Sequence, residues 1–237
     1  MAEDHTIFLP GSGKQFNHLK AKVSLENKDI LIIGSNSEKI AQMFLSAEVN
    51  VVTIILDEYD SLLKARYLLK NKGKISVRLM DSIGTDFNNA VFDIVYAQAS
   101  ISSKMRNKII KEIKRILKPE GILNVGEITS LKSSPPKFVY DIWESGNISP
   151  LNSYDINKYY EERKFEVVDT LDLSEHLKDF YLESKKLLFN NIESLSENEK
   201  TYYKKLLKRM SHESNAYLKL GGKEYMGFTS IIVRRVS

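Results

Sequence analysis

The chain has 237 residues, with 35 Lys+Arg against 31 Asp+Glu for a formal charge of +4, and 42% hydrophobic and 28% charged residues. That apolar share suffices for one sizeable core and excludes a disordered or collagen-like chain, and the absence of cysteine excludes a disulfide framework, a thiolate metal site and a cysteine nucleophile. So small an excess of positive charge is no basic stripe, so nucleic acid is not an expected partner, and an acidic start with no apolar run near the roughly 18 residues that span a bilayer predicts a cytoplasmic protein without membrane contact.

Residues 1–27 read as an N-terminal segment and 28–237 as a single domain. In the segment, Gly11-Ser12-Gly13-Lys14 invites a phosphate-loop reading, but the earlier glycine, the preceding strand and the Ser/Thr after the lysine are all missing. From residue 28 to about 128, short β-branched runs alternate with amphipathic stretches, the pattern of a parallel sheet covered by helices. Asp29–Ile33 is predicted as a buried strand, followed by the turn Gly34-Ser35-Asn36-Ser37 and a helix with Ile40, Ala41, Phe44 and Leu45 on one face. Val51–Leu56 is predicted as a second strand, running through Asp57, Glu58 and Asp60 into a helix whose Leu62, Leu63, Leu68 and Leu69 face the core. A third strand over Ile75–Leu79 ends at Asp81, and a fourth covers 92–96. Met105, Ile109, Ile110, Ile113, Ile116 and Leu117 fall at helical spacing until Lys118-Pro119-Glu120-Gly121, after which 122–125 reads as a fifth strand.

After Ser130 the texture changes. A connector, Ser133-Ser134-Pro135-Pro136, leads into a stretch rich in aromatic residues, so 131–161 reads as a cap. Strands are expected at 165–168 and 228–233, separated by a Lys/Glu-rich helical region over 174–220. In that region Leu187, Leu188, Ile192, Leu206, Leu207 and Met210 suggest one packed face, the other being solvated. His176 and His212 read as surface residues, and no His–carboxylate pair has metal-ligand spacing, so no metal is expected.

These motifs together resemble the class I S-adenosylmethionine-dependent methyltransferases of small-molecule type, over roughly residues 25–130. Ile30-Leu31-Ile32-Ile33-Gly34 stands where the family has its first motif, Arg78-Leu79-Met80-Asp81-Ser82 resembles its third-strand acid, Phe92-Asp93-Ile94-Val95 its fourth-strand motif, and 113–121 its helix-turn-strand signature. The resemblance implies a doubly wound, mostly parallel α/β sheet of about seven strands, with the last two antiparallel at one edge. It also implies S-adenosyl-L-methionine as cofactor across the strand ends. Carried over as cofactor-binding are Gly34, Ser35 and Asn36 at the first turn, Asp57 or Glu58 for the ribose hydroxyls, Asp81 with Ser82 for the adenine amino group, and Ala97 with Gln98 as the wall beside the methyl. Leu9-Pro10-Gly11-Ser12-Gly13 looks like an element that closes over the cofactor in some members, a flexible tail being the alternative.

The first motif departs from the family pattern: Ile32 replaces an acid, and Asn36 and Glu38 replace the second and third glycines. Asparagine tolerates a left-handed backbone, whereas a glutamate in the first helical turn would repel a bound carboxylate. The expected acceptor is a small molecule held by rings of the cap, with Tyr140, Trp143, Tyr159 and Tyr160 as candidates; the C-terminal residues loosely resemble sarcosine and dimethylglycine methyltransferases. No catalytic residue is singled out, since a sulfonium donor is already activated and the protein's task is alignment and exclusion of water. Two rivals remain: a non-catalytic methyltransferase-like binding or scaffolding protein, and a nicotinamide-binding Rossmann protein. The sequence leaves the oligomeric state open, a homodimer included.

Overall fold

The computed structural model describes residues 7–70, 72–194, 208 and 210–236, the side chains of 187–194 excepted. Its centre is one sheet in the order β3-β2-β1-β4-β5-β8-β7, with the two-residue β6 pairing β5 off this path. The strands are β1 Asp29–Ile33, β2 Val51–Leu56, β3 Ile75–Leu79, β4 Phe92–Gln98, β5 Leu117–Ser130, β6 Leu151–Asn152, β7 Phe165–Asp172 and β8 Met226–Arg235. β1 to β6 pair in parallel, whereas β8 runs antiparallel to both β5 and β7. The helices are α1 Lys14–Lys22, α2 Glu38–Leu45, α3 Tyr59–Leu68, α4 Arg106–Ile116, α5 Lys137–Ser145, α6 Ile156–Glu161 and α7 Leu177–Ser194.

The apolar runs of the central strands are buried on both sides because helices cover both. Ile30, Ile32, Ile94 and Tyr96 enter a core shared with Phe16, Leu19, Phe44 and Leu62, while Leu31, Ile33, Val95 and Val125 enter the opposite core with Ile109, Ile113, Ile156 and Tyr160. A third cluster under α5 joins Ile128, Val139, Trp143, Tyr181, Tyr217 and Phe228. No helix among the described residues is long and apolar enough to cross a membrane.

The structure differs from the sequence expectations in four places. On α3 only Leu62 and Ala65 are buried, with Leu69 just beyond, whereas Leu63 and Leu68 are each 49% exposed, because the helix covers the edge strand β3, which is itself half open to solvent. β5 extends to Ser130 and carries Asn124, Gly126 and Glu127, polar or small residues that interrupt an apolar run yet pair with β8 in register from Ile122↔Arg234 to Ser130↔Met226. Residues 14–22 form a helix, with Lys14 exposed at its start, so the Gly11–Lys14 turn leads into α1 rather than into a tail. The packed face expected from Leu187, Leu188, Ile192, Leu206 and Leu207 lies outside the residues whose side chains are described; Met210 is half-buried.

Two of the sequence motifs prove to be structural. Asp93 accepts hydrogen bonds from the Asp29 N–H (2.9 Å) and the Lys118 ammonium (2.8 Å), and Lys118 also reaches Asp29 (3.2 Å), tying β1, β4 and β5 together at their starts. Burial pushes the Asp93 carboxyl up, but these donors outweigh it and hold it below the usual carboxylate range. Gly121 is required beside it, since a Cβ there would lie 2.8 Å from the Lys118 carbonyl oxygen.

Candidate functional site

β1 ends in a turn whose shape depends on two residues with positive φ, Gly34 at 117° and Asn36 at 61°. A side chain at Gly34 would meet the Ser100 Cβ at 2.6 Å, because the loop after β4 folds back over the turn and Ser100 donates its hydroxyl to the Ile33 carbonyl (2.6 Å). Asparagine at 36 keeps the left-handed conformation that the missing glycine would have supplied. The Gly34 N–H belongs to the sheet, donating to the Ile55 carbonyl at 3.2 Å. Ser37 closes the turn by donating to the Gly34 carbonyl (2.8 Å). Ser35 bonds the Ser61 hydroxyl (3.1 Å) and Asn36 accepts from Lys64 (2.9 Å), so the turn is braced against α3. Glu38 is buried in the first turn of α2, at 8% exposure.

The acids expected to meet a nucleoside lie along the neighbouring strand ends. Asp57 is exposed directly after β2, and Glu58 precedes α3, where one of its oxygens accepts from Ser61 at 3.4 Å. Asp57 has no hydrogen-bond partner among the described residues, so both its oxygens are open. Asp81 is exposed after β3 with one oxygen accepting the Ile83 N–H (2.8 Å), and Ser82 is half-buried beside it. The turn of β1 and the acids after β2 and β3 therefore sit at adjacent strand ends, with parallel register from Ile33↔Ile55 to Leu56↔Leu79.

Ala97 and Gln98 are placed differently. Both are buried, and the Gln98 amide nitrogen donates to the carbonyls of Pro10 (2.6 Å) and Ser12 (2.8 Å) while its oxygen accepts from the Tyr96 hydroxyl (2.7 Å). Gln98 is thus the anchor of the N-terminal turn, with its amide committed. Its neighbour Ala97 offers its carbonyl to Gln15 of α1 (3.2 Å). Gln15 also reaches Asn124 (3.1 Å), and Asn124 reaches Ser230 (3.2 Å), which bonds His18 (2.8 Å). Gly126 allows this packing, since a Cβ there would fall 2.1 Å from the Gln15 oxygen.

The four cap aromatics divide into two pairs. Tyr140 and Trp143 of α5 meet edge to face at 5.7 Å and line a cavity of about 620 Å³, together with Lys104, Pro135, Ile148 and Ser149. Tyr159 and Tyr160 of α6 lie outside that lining. Tyr159 is clamped under the Arg163 guanidinium at 3.5 Å and donates to Asn107 (2.6 Å), and Tyr160 is fully buried with its hydroxyl on Glu127 (2.7 Å). Burial, with the Glu127 charge beside it, pushes the Tyr160 phenol well above its ordinary pKa.

The sequence reading missed the polar centre that this exposes. Glu127 on β5 and Arg106 at the start of α4 form an ion pair of 2.9 Å with side chains 0% and 6% exposed. Ser102 donates to the second Glu127 oxygen (2.6 Å) and accepts the Ile128 N–H (3.0 Å), while Arg106 also donates to the Ser149 carbonyl. The Ser149 N–H in turn donates to the Ser102 carbonyl (2.8 Å). No local pattern marks Glu127, because its partners Ser102, Arg106 and Tyr160 come from two distant stretches of chain.

Residues 31–125 match a family model described as a methyltransferase domain. No curated protein matches the chain. Among solved structures, Haemonchus contortus phosphoethanolamine N-methyltransferase 2, with phosphomonomethylethanolamine and S-adenosylhomocysteine bound, is similar at TM-score 0.77 and 14% identity over 95% of this chain and 53% of that one. The (4+2) cyclase SpnF is similar at TM-score 0.76 and 18% identity, over 93% of this chain and 79% of that one. The geranyl diphosphate C-methyltransferase of Streptomyces coelicolor A3(2) is similar at TM-score 0.67 and 12% identity, over 94% and 77%. Residues 31–125 thus resemble a methyltransferase domain over about two-fifths of the chain, and the similar structures share the fold of the sheet and its helices. Two of these similar structures hold S-adenosylhomocysteine.

Proposed function

We propose that the protein transfers the methyl group of S-adenosylmethionine to a small-molecule acceptor that enters the cavity under α5. The observation that carries this reading is the loop after β4. Ser100 at one end packs on Gly34 of the cofactor turn, while Ser102 holds Ser149 of the cavity wall and Lys104 lines the cavity. One short loop therefore touches both the β1 turn and the cavity wall, which supports a donor and an acceptor held side by side.

The residues present fit the donor. A turn with Gly34 and Asn36 in left-handed conformations brings α2 to the strand end, where its N-terminus favours the methionine carboxylate. Asp57, with both oxygens open, would accept the ribose hydroxyls, with Glu58 drawn toward α3, and Asp81 would accept from the adenine amino group. When bound, the sulfonium supplies an activated methyl. The chain's own part is to hold the acceptor in line and keep water out. Tyr140 and Trp143 would form the wall for the acceptor.

A second reading, a non-catalytic binding protein of the same fold, draws on Glu38, whose buried carboxylate stands in the first turn of α2. The name of SpnF shows that a similar fold is also found in a cyclase, so fold alone leaves the reaction open. The two readings part in an assay of label transfer from methyl-tritiated S-adenosylmethionine across a panel of amines, phenols and carboxylic acids. Transfer that falls at least tenfold in Tyr140→Ala, with S-adenosylhomocysteine affinity within about twofold of wild type, supports the enzyme reading. A chain that binds the cofactor but transfers nothing to any of them supports the second.

A further inference from the structure

Of the eleven large hydrophobic side chains exposed among the described residues, five lie on α3 and β3: Tyr59, Leu63, Tyr67, Leu68 and Leu79, from 49% to 80% exposed. Tyr59, Leu63, Arg66 and Tyr67 follow at i, i+4, i+7 and i+8, so they share one face of the helix. The Arg66 guanidinium donates to the Val77 carbonyl of β3 at 3.2 Å, so that face turns toward the outer edge of the sheet, where β3 is the last strand. Leu79 joins it, because it shares a strand face with Ile75 and Val77, which pack on the same core as Leu62 of α3. Apolar side chains gathered at one edge in this way mark an interaction surface rather than scattered exposure.

We propose that this face joins two copies of the chain, with α3 packed antiparallel against α3 of the second copy about a two-fold axis near Leu63. The charges of the helix favour that occupant and that direction. Asp60 stands in its first turn, whereas Lys64, Arg66 and Lys70 follow toward and beyond its end, all of them exposed. A two-fold axis sets the same patch on both partners, so Leu63 meets its own copy and Tyr59 meets Tyr67. In the antiparallel direction the acidic start of each helix lies against the basic end of the other, whereas a parallel pair would set like charges together. Tyrosine and leucine at the centre with charges around them is also the composition of a protein interface. The other occupant that an open edge invites is an extended peptide adding a strand to β3. That edge is already guarded: the Ile75 N–H donates to the Lys72 carbonyl (2.8 Å), and Arg66 covers the Val77 carbonyl. The side chains beside it are what remain to be covered.

The chain has no cysteine, so a single introduced thiol reports contact between copies without interference. Sedimentation velocity of the full chain should show a species of twice 27.2 kDa whose share rises with concentration. Leu63→Glu, at a position half open to solvent, should raise the dimer dissociation constant at least about tenfold while the circular dichroism stays that of wild type. Under mild oxidation Leu63→Cys should cross-link to itself. An equal mixture of Tyr59→Cys and Tyr67→Cys should give the mixed disulfide in preference to either homodimer, since the bond needs Cα atoms within about 7 Å. Tyr154→Cys, also exposed but outside this face, should stay uncoupled. A chain that remains monomeric at every concentration would leave the face to another partner and overturn the proposal. A dimer indifferent to Leu63→Glu, or Tyr154→Cys cross-linking as readily as Leu63→Cys, would overturn it as well. Homodimeric disulfides of Tyr59→Cys and of Tyr67→Cys in place of the mixed pair would overturn the antiparallel direction.

Discussion

Replacing Glu127 by alanine removes the centre of a buried polar cluster. The carboxylate is fully buried and receives Arg106 at 2.9 Å, Tyr160 at 2.7 Å and Ser102 at 2.6 Å. Without it, the guanidinium of Arg106, 6% exposed, keeps the Ser149 carbonyl and the Tyr159 ring but no counter-charge. An uncompensated buried charge costs about 3–5 kcal/mol. In a chain of this length 1 kcal/mol corresponds to roughly 2–4 °C, so the melting temperature should fall by about 6–20 °C. Arg106→Met should cost a similar amount by leaving the carboxylate unpaired. The double variant Arg106→Met with Glu127→Leu should recover much of the loss, giving a coupling of about 2 kcal/mol or more. Urea and thermal unfolding of the four proteins, followed by circular dichroism, complete the cycle. A Glu127→Ala cost below about 1 kcal/mol, or single costs that simply add, would refute a buried and paired charge at this place.

Two further outcomes follow from the turn and from α4. Glu38→Gly should tighten S-adenosylhomocysteine binding, by removing a like charge from the first turn of α2, while costing about 1 kcal/mol of stability; calorimetry and urea unfolding read the two effects separately, and weaker binding would show that Glu38 makes a favourable contact. The Arg115 hydrogen bond, reinforced by donation from Thr85, holds the Glu112 carboxyl down to about 2 from 4.5, so its contribution is complete above pH 4.5 and is lost as pH falls toward 2. Glu112→Gln should flatten the pH dependence of unfolding in that window, and an unchanged slope would rule the pair out as its source.

The fold was legible where burial is two-sided. β1 and β2 fall on the expected residues because an apolar run between two helical layers has one reading. Legibility failed where polar side chains are buried by distant partners. Gln15 and His18 make α1 look like a solvated tail until Asn124, Ser230 and Asp169, each more than 100 positions away, supply their hydrogen bonds. The same holds for Glu127, whose polarity hid the length of β5. On α3 the count of leucines misled, since a helix over an edge strand buries few of them. At the site, strand-end residues could be placed from topology, because a parallel sheet puts every turn after a strand on one edge. The aromatic cap could not be resolved that way: Tyr159 and Tyr160 are as ring-rich as Tyr140 and Trp143, and only the orientation of α6 toward Arg106 and Glu127 takes them out of the cavity lining.

The central claim is that the β1 turn and the acids after β2 and β3 still hold the family's cofactor despite the altered glycine motif. Isothermal titration of the wild-type chain and of Asp81→Ala with S-adenosylhomocysteine tests it most directly. Saturable binding of one ligand per chain is expected, weakened in the variant by about 1.5–3 kcal/mol, or roughly 10- to 150-fold, through loss of one hydrogen bond to a charged acceptor. No binding to the wild-type chain, or equal affinity in the two proteins, would contradict it.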